Sequence, residues 1–184
     1  MTEPQDIDRR ALLRGRWRKR SEQSPVYRRH KTVRPPGANR TDEFLELCNG
    51  CGACVSACPY KAIYLTAAKT TAGEASSEMF PSVSACRLCE DTPCIAACDT
   101  GALMPLERQD IRLAHLRVVA ENCWAANGTD PDCDACAQAC PVRARAISVS
   151  SGRAPILFES GCTGCGLCYH ACLSPAKALR VEAF

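Results

Sequence analysis

Sixteen cysteines fall into four groups of four, and their spacing limits what this chain can become. The first group is Cys48, Cys51, Cys54 and Cys58, followed by Pro59. The second is Cys86, Cys89, Cys94 and Cys98, the third Cys123, Cys133, Cys136 and Cys140, and the fourth Cys162, Cys165, Cys168 and Cys172. Groups one and four have the plain CxxCxxCxxxC spacing. Group two inserts two residues between its second and third cysteines, and group three opens with a nine-residue gap that holds Trp124. A tight loop of this kind wraps three corners of an iron–sulfur cube while the fourth cysteine reaches elsewhere. The spacing therefore points to four 4Fe-4S clusters, with all sixteen cysteines as their ligands.

Two other uses of cysteine fit less well. A secreted disulfide scaffold would also have an even count, but no apolar signal stretch follows the N-terminal charges. Structural zinc uses CxxC pairs set apart by longer spacers, and a tetrahedral ion does not need a third cysteine two residues beyond a pair. Aromatic residues make up only 5% of 184 residues. A large aromatic core is excluded, and ligand cross-links have to supply part of the cohesion.

The formal charge of +3 hides a division along the chain. Residues 1–40 hold twelve Lys/Arg against four Asp/Glu, and residues 41–184 hold eleven against sixteen. Clusters bound through thiolates make the body still more acidic. The basic stretch has no zinc finger, stacking platform or helix-turn-helix beside it, so a nucleic-acid partner is not indicated. No window approaches eighteen consecutive apolar residues, and no integral membrane segment is expected. Reduced thiols awaiting clusters favour a reducing compartment. Together these features predict a cytoplasmic protein.

The expected fold class is α+β: two tandem bacterial 2[4Fe-4S] ferredoxin-like modules behind a basic, largely extended N-terminal arm. The arm covers 1–43, the first module 44–104, and a linker with the second module 105–184. Within the arm, Asp8 to Arg20 is a short-helix candidate, and the turn-rich stretch through Pro25 and Pro35-Pro36-Gly37 reads as a linker. Ala146–Val149 and Pro155–Phe158 flank Ser151-Gly152 as a hairpin. Ala62–Leu65 and Phe80–Val83 are expected to form a second pair. Leu116–Val119 leads into Cys123, and short helices are expected after the third cysteine of each group. Gly50, Gly52, Gly161, Gly164 and Gly166 surround cysteines whose loops turn amides toward cluster sulfur.

In two-cluster ferredoxins the fourth cysteine of each run serves the other cluster. Applied locally, Cys48, Cys51 and Cys54 pair with Cys98, and Cys86, Cys89 and Cys94 with Cys58. Cys123, Cys133 and Cys136 then pair with Cys172, and Cys162, Cys165 and Cys168 with Cys140. A nested arrangement, first group with fourth and second with third, is the alternative. A cluster with four thiolate ligands has no open coordination position; it passes one electron and binds no substrate. No activated nucleophile, phosphate loop or persuasive carboxylate pair accompanies it, and His30, His115 and His170 are scattered. No enzymatic activity is expected. An electron relay and an accessory protein for another metalloprotein both remain open.

The stretch Asp8-Arg9-Arg10-Ala11-Leu12-Leu13-Arg14-Gly15-Arg16-Trp17-Arg18, followed by four cysteine groups, resembles the NapF-type ferredoxin-like proteins of the periplasmic nitrate reductase system. Cys86-Arg87-Leu88-Cys89-Glu90-Asp91-Thr92-Pro93-Cys94 and the stretched third group are similar to the related NapG and MauM ferredoxins, which are exported. The NapF resemblance implies a cytoplasmic accessory protein in maturation of the catalytic subunit precursor, NapA, before export. A multi-cluster one-electron relay is the alternative. The resemblance carries ligand roles onto all sixteen cysteines and no catalytic role onto any residue. Under the maturation reading Arg9, Arg10, Arg14, Arg16, Trp17 and Arg18 would anchor the partner, since arginine and tryptophan concentrate interface energy. Asp99 and Leu173 stand where proline follows the fourth cysteine in the plain pattern.

Overall fold

A computed structural model describes residues 32–38, 41–68 and 70–184. The expected arm helix, with Arg9, Arg10, Arg14, Arg16, Trp17 and Arg18, lies outside the described residues. In chain order the elements are α1 (Thr41–Leu47), α2 (Ala53–Ala57), β1 (Ile63–Ala67), β2 (Ala75–Met79) and α3 (Pro93–Ala96). Then follow β3 (His115–Val118), α4 (Trp124–Asn127), α5 (Ala135–Gln138), α6 (Arg143–Ala146), β4 (Ile147–Ser148), β5 (Ile156–Leu157), α7 (Leu167–Ala171) and β6 (Leu179–Glu182). Single 3-10 turns stand at Arg108–Asp110 and Ala120–Asn122.

The third cysteine of each group sits inside a helix: Cys54 in α2, Cys94 in α3, Cys136 in α5 and Cys168 in α7. These helices have four or five residues, too few to persist alone in water. Their small residues, such as Ala53, Ala57, Ala96 and Ala135, let the backbone approach the cysteine cavities closely. Helix α4 fills the nine-residue gap of the third group and ends on Gly128.

Three two-stranded antiparallel sheets complete the body. The hairpin around Ser151-Gly152 forms as β4 against β5. The partner of β1 differs from expectation. It is Ala75–Met79, with Ile63 opposite Met79. Phe80 to Ser84 instead turns, with the amides of Val83 and Ser84 donating to the Phe80 carbonyl at 2.7 and 3.0 Å. Pro81 has no N–H to give a ladder. Strand β3 pairs with β6 near the chain end, His115 opposite Glu182, a long-range pairing that local pattern does not announce.

The stretch through Pro35-Pro36-Gly37 is a packed strap. Val33 bridges Met79, Ala38 bridges Leu103, and Pro35 is fully buried. The Met79 amide donates to the Val33 carbonyl at 2.8 Å, and the Met104 amide to the Gly37 carbonyl at 2.7 Å. Burial of Val33 and Pro35 therefore offsets the extended, turn-rich backbone that reads as a linker in sequence.

The two ferredoxin modules pack into one compact unit, Lys31–Phe184. Their main apolar core runs from Val33, Phe44 and Met79 through Ile111 and Leu113 to Cys165. Each large side chain in it contributes roughly 1.5–3 kcal/mol by leaving water. A small second core gathers Cys123, Ala125 and Ala178. Between the modules, the Cys86 amide donates to the Cys165 carbonyl at 3.2 Å, and beside it the Leu113 amide, in the linker, donates to the Thr163 carbonyl at 2.8 Å. His170 Nε2 lies 2.8 Å from the Pro81 carbonyl oxygen, and Arg112 Nη2 donates to the Ser160 carbonyl at 2.7 Å. Gly164 and Gly166 permit this approach, because a Cβ on either would press into Ala114 or Pro81.

Candidate metal centres

The fold gathers the sixteen cysteines into four quartets. At site 1, Cys48, Cys51, Cys54 and Cys98 line one cavity together with Phe44, Leu65 and Ser77. At site 2, Cys86, Cys89, Cys94 and Cys58 line another, walled by Ile63, Met79, Leu88 and Ile111. At site 3, Cys123, Cys133, Cys136 and Cys172 share a cavity with Trp124 and Leu173. At site 4, the Cys140 thiol lies close enough to Cys162 and Cys165 for their charges to act on it, and Cys168 feels Cys165, Cys162 and Cys140. The fourth cysteine of each group thus crosses to the neighbouring quartet, as local exchange expects. In the nested alternative Cys58 and Cys172 would have to change cavities.

The surroundings of the sulfurs suit anionic ligands. Backbone amides donate to them: Ala62 to Cys58 at 3.3 Å, Ala178 to Cys172 at 3.4 Å, and Leu88 to Cys86 at 3.5 Å. The Thr100 hydroxyl stands 3.6 Å from Cys98 Sγ. Burial raises the Cys98 pKa, but hydrogen bonds from the Thr100 side chain and from the amides of Leu103, Thr100 and Ala102 outweigh it and bring the thiol below its ordinary range. Elsewhere burial wins. It pushes Cys86 up to about 12, and Cys94 and Cys136 to about 11, with neighbouring thiols adding repulsion. Cys168 is raised further by burial and by three thiols of its own site. Thiolates held this way want a shared positive centre.

Among the described residues, no group of three or more His, Cys, Asp or Glu side chains is placed to hold a single metal ion. Three of the quartets line the walls of cavities instead. Their donor set, all sulfur and backed by amides, fits a cubane better than a lone zinc ion. When bound, a 4Fe-4S cluster supplies a one-electron couple. The cysteines would hold it, the amides would stabilise its negative charge, and the apolar walls would exclude water.

Helix α2 of site 1 packs on α3 of site 2, the Cys86 loop of site 2 hydrogen-bonds the Cys165 loop of site 4, and α5 of site 3 packs on α7 of site 4. The charge of Cys54, at site 1, acts on Cys94 of site 2. That of Cys165, at site 4, acts on Cys86 of site 2. Cys136 of site 3 acts in turn on Cys168 of site 4. The spatial sequence is site 1, site 2, site 4, site 3, although the chain order is different. Cys51 is exposed at one end of this line, and Leu173 at the other.

Comparison with known proteins finds 4Fe-4S-binding families at two places in the chain. The 4Fe-4S dicluster domain family matches residues 47–102, and a 4Fe-4S binding domain family matches residues 159–174. The methylamine utilization ferredoxin-type protein MauM of Paracoccus denitrificans is 37% identical over 169 residues, 86% of this chain and 73% of that protein. The chain belongs to the MauM/NapG family of ferredoxin-type proteins. The ferredoxin-type protein NapG of Escherichia coli is 32% identical over 162 residues, 81% of this chain and 69% of NapG. The NapF protein of the same organism is 28% identical over 179 residues, 96% of this chain and 95% of NapF. No solved structure matches. Like its relatives, the chain is an electron-carrying ferredoxin-type protein and not an enzyme.

Two expectations change here. Kinship extends across the NapF, NapG and MauM types, and does not single out NapF. The cytoplasmic location is overturned, because MauM- and NapG-type relatives face the periplasm and stand nearer in identity. That expectation leaned on a missing apolar stretch, which specifies no compartment. It also leaned on reduced thiols, yet a cysteine already bound to a cluster is not a free thiol.

Pattern reading missed Arg34, Phe44, Ser77 and Thr100. Arg34 is one of twelve basic residues in the first forty and carries no local mark. Thr100 stands two residues beyond Cys98, a spacing at which a hydroxyl can reach back to sulfur, and that signal was available.

Proposed function

We propose that the chain is a one-electron relay carrying four 4Fe-4S clusters, with the sixteen cysteines as ligands in the four quartets above. The observation that supports this is the row of neighbouring sites, whose ligand-bearing helices and loops pack one on the next. A scaffold has no need of contiguous redox centres; a relay does. Each cluster takes one electron from a donor protein or from its neighbour, and passes the same electron on. Site 1 and site 3 are the ends of the line, where redox partners would meet it. A role in maturing NapA rested on likeness to the NapF type. With identity higher toward MauM and NapG, that role loses its ground, and the partner is a redox protein of the system in which the chain works.

The test is stopped-flow reduction of anaerobically loaded protein by a one-electron donor. The clusters should equilibrate with one another in a single fast phase. Cys165→Ser, which interrupts the line at site 4, should split this into separate phases for the two ends. An unchanged single phase in a variant that has lost site 4 would reject the relay. Movement of iron from the chain to a metal-free enzyme would reject it also, in favour of maturation.

A further inference from the structure

The guanidinium of Arg34 is packed against the back of site 1. It lies over the Phe44 ring, 4.8 Å from the centroid, and Phe44 lines the site 1 cavity. Arg34 Nη1 donates to Ser76 Oγ at 2.9 Å and to the Ser77 carbonyl at 3.0 Å. Ser77 lines the same cavity, and its side chain favours the thiolate form of Cys54. The carboxylate of Glu78 stands 3.5 Å away, and the side chains of Arg34 and Glu78 are only 12% and 13% exposed. Arg34 Nε is buried with no hydrogen-bond acceptor among the described residues.

A charged group withdrawn from water to this degree is costly unless it is paired and fully hydrogen-bonded. One carboxylate and an incomplete set of acceptors leave Arg34 short of that. Burial lowers its pKa, while Glu78 and the Cys48 thiolate both act to keep it charged, and arginine stays protonated under working conditions. The missing compensation is the negative charge of the site itself. Adding an electron makes a thiolate-bound cluster more negative. A fixed cation in a dry position stabilises that reduced form more than the oxidised one.

We propose that Arg34, carried on the strap, raises the reduction potential of the site 1 cluster, and that Glu78 opposes it. Arg34 acts as a positioning and charge-setting residue, not as a ligand. The strap thereby makes site 1 the more readily reduced end of the line than its ligand set alone would. This rests on site 1 holding a cluster, which iron and sulfide assays on the unmodified protein check independently.

The experiment is a mediated redox titration, followed by electron paramagnetic resonance, on the full chain loaded without oxygen. Site 1 is identified as the wave altered by Cys51→Ser. In Arg34→Gln the reduced-to-oxidised ratio of that wave at fixed potential should fall at least tenfold, which for one electron is about 59 mV downward. Glu78→Gln should move the same wave upward, and Arg34→Lys, which keeps the charge, should stay near the unmodified value. A merely structural role would not give opposite signs for Arg34→Gln and Glu78→Gln. An unmoved wave in loaded Arg34→Gln, or equal shifts in the Gln and Lys variants, would overturn the proposal. If Arg34→Gln does not load site 1, a downward or absent shift in Glu78→Gln overturns it. Failure of the unmodified protein to hold a cluster at site 1 would instead strike the relay reading.

Discussion

The backbone amide of Cys86 donates to the carbonyl of Cys165 across the junction of the two modules, at 3.2 Å. One hydrogen bond thus joins a ligand loop of site 2 to a ligand loop of site 4, and makes two ferredoxin modules continuous. The neighbouring contact of Pro81 with His170 holds that joint closed, and that of Leu113 with Thr163 seats the linker beside it.

The seat of the linker beside the joint depends on Gly164. Gly164 and Gly152 share a φ of +69°, so alanine at either meets the same left-handed strain, about 1 kcal/mol. Only at Gly164 would the new Cβ also run into the backbone of Ala114; at Gly152 it meets open space. Gly164→Ala should therefore cost about 2 kcal/mol or more beyond Gly152→Ala, given that overpacking typically costs 1–3 kcal/mol. Denaturant unfolding of the loaded proteins measures the difference. Equal losses would mean that the linker at Ala114 is not pressed against the Gly164 loop.

Iron content should report the ligand assignment site by site. Loaded protein is expected to contain about sixteen iron and about sixteen labile sulfide per chain, following four cubanes. Cys123→Ser should lower both by about four, because Cys123 shares its cavity with Cys133, Cys136 and Cys172. Elemental analysis with a sulfide assay checks this, and stoichiometric zinc would contradict it.

Much of this arrangement was legible in the cysteine spacing, since CxxC loops dictate both the cavity and the short helix around the third cysteine. The hairpin at Ser151-Gly152 was legible for a similar local reason. The pairing of β3 with β6, the use of Ala75–Met79 in place of Phe80–Val83, and the packed strap were not. Each is decided by a partner far away in sequence: Glu182 for His115, Met79 for Val33. The order of the sites was also hidden, because site 4 reaches site 2 through glycines whose small size looked purely local.

Cluster retention should weaken in acid. Burial pushes the thiols of Cys86, Cys94 and Cys136 to about 12, 11 and 11 in the metal-free fold, so protons compete with iron for them throughout the neutral range. The sign follows from raised pKa values. As neutral groups these thiols favour the metal-free fold fully below about pH 8.5, and that support is lost as pH rises through 11 to 12. Loading works in the opposite direction, releasing protons and gaining strength with rising pH. Iron loss to a fixed chelator should accelerate from pH 8.5 to 6.5; a flat profile would contradict proton competition for these ligands.

The order of the sites is the centre of the account, and magnetic coupling between reduced clusters reads it directly. Electron paramagnetic resonance of the fully reduced protein should show coupling along the line site 1, site 2, site 4, site 3. Removing site 2 with Cys89→Ser should leave site 1 as an isolated, uncoupled signal while sites 4 and 3 remain coupled to each other. Continued coupling of site 1 to a neighbour after site 2 is lost, or loss of the coupling between sites 4 and 3, would contradict it.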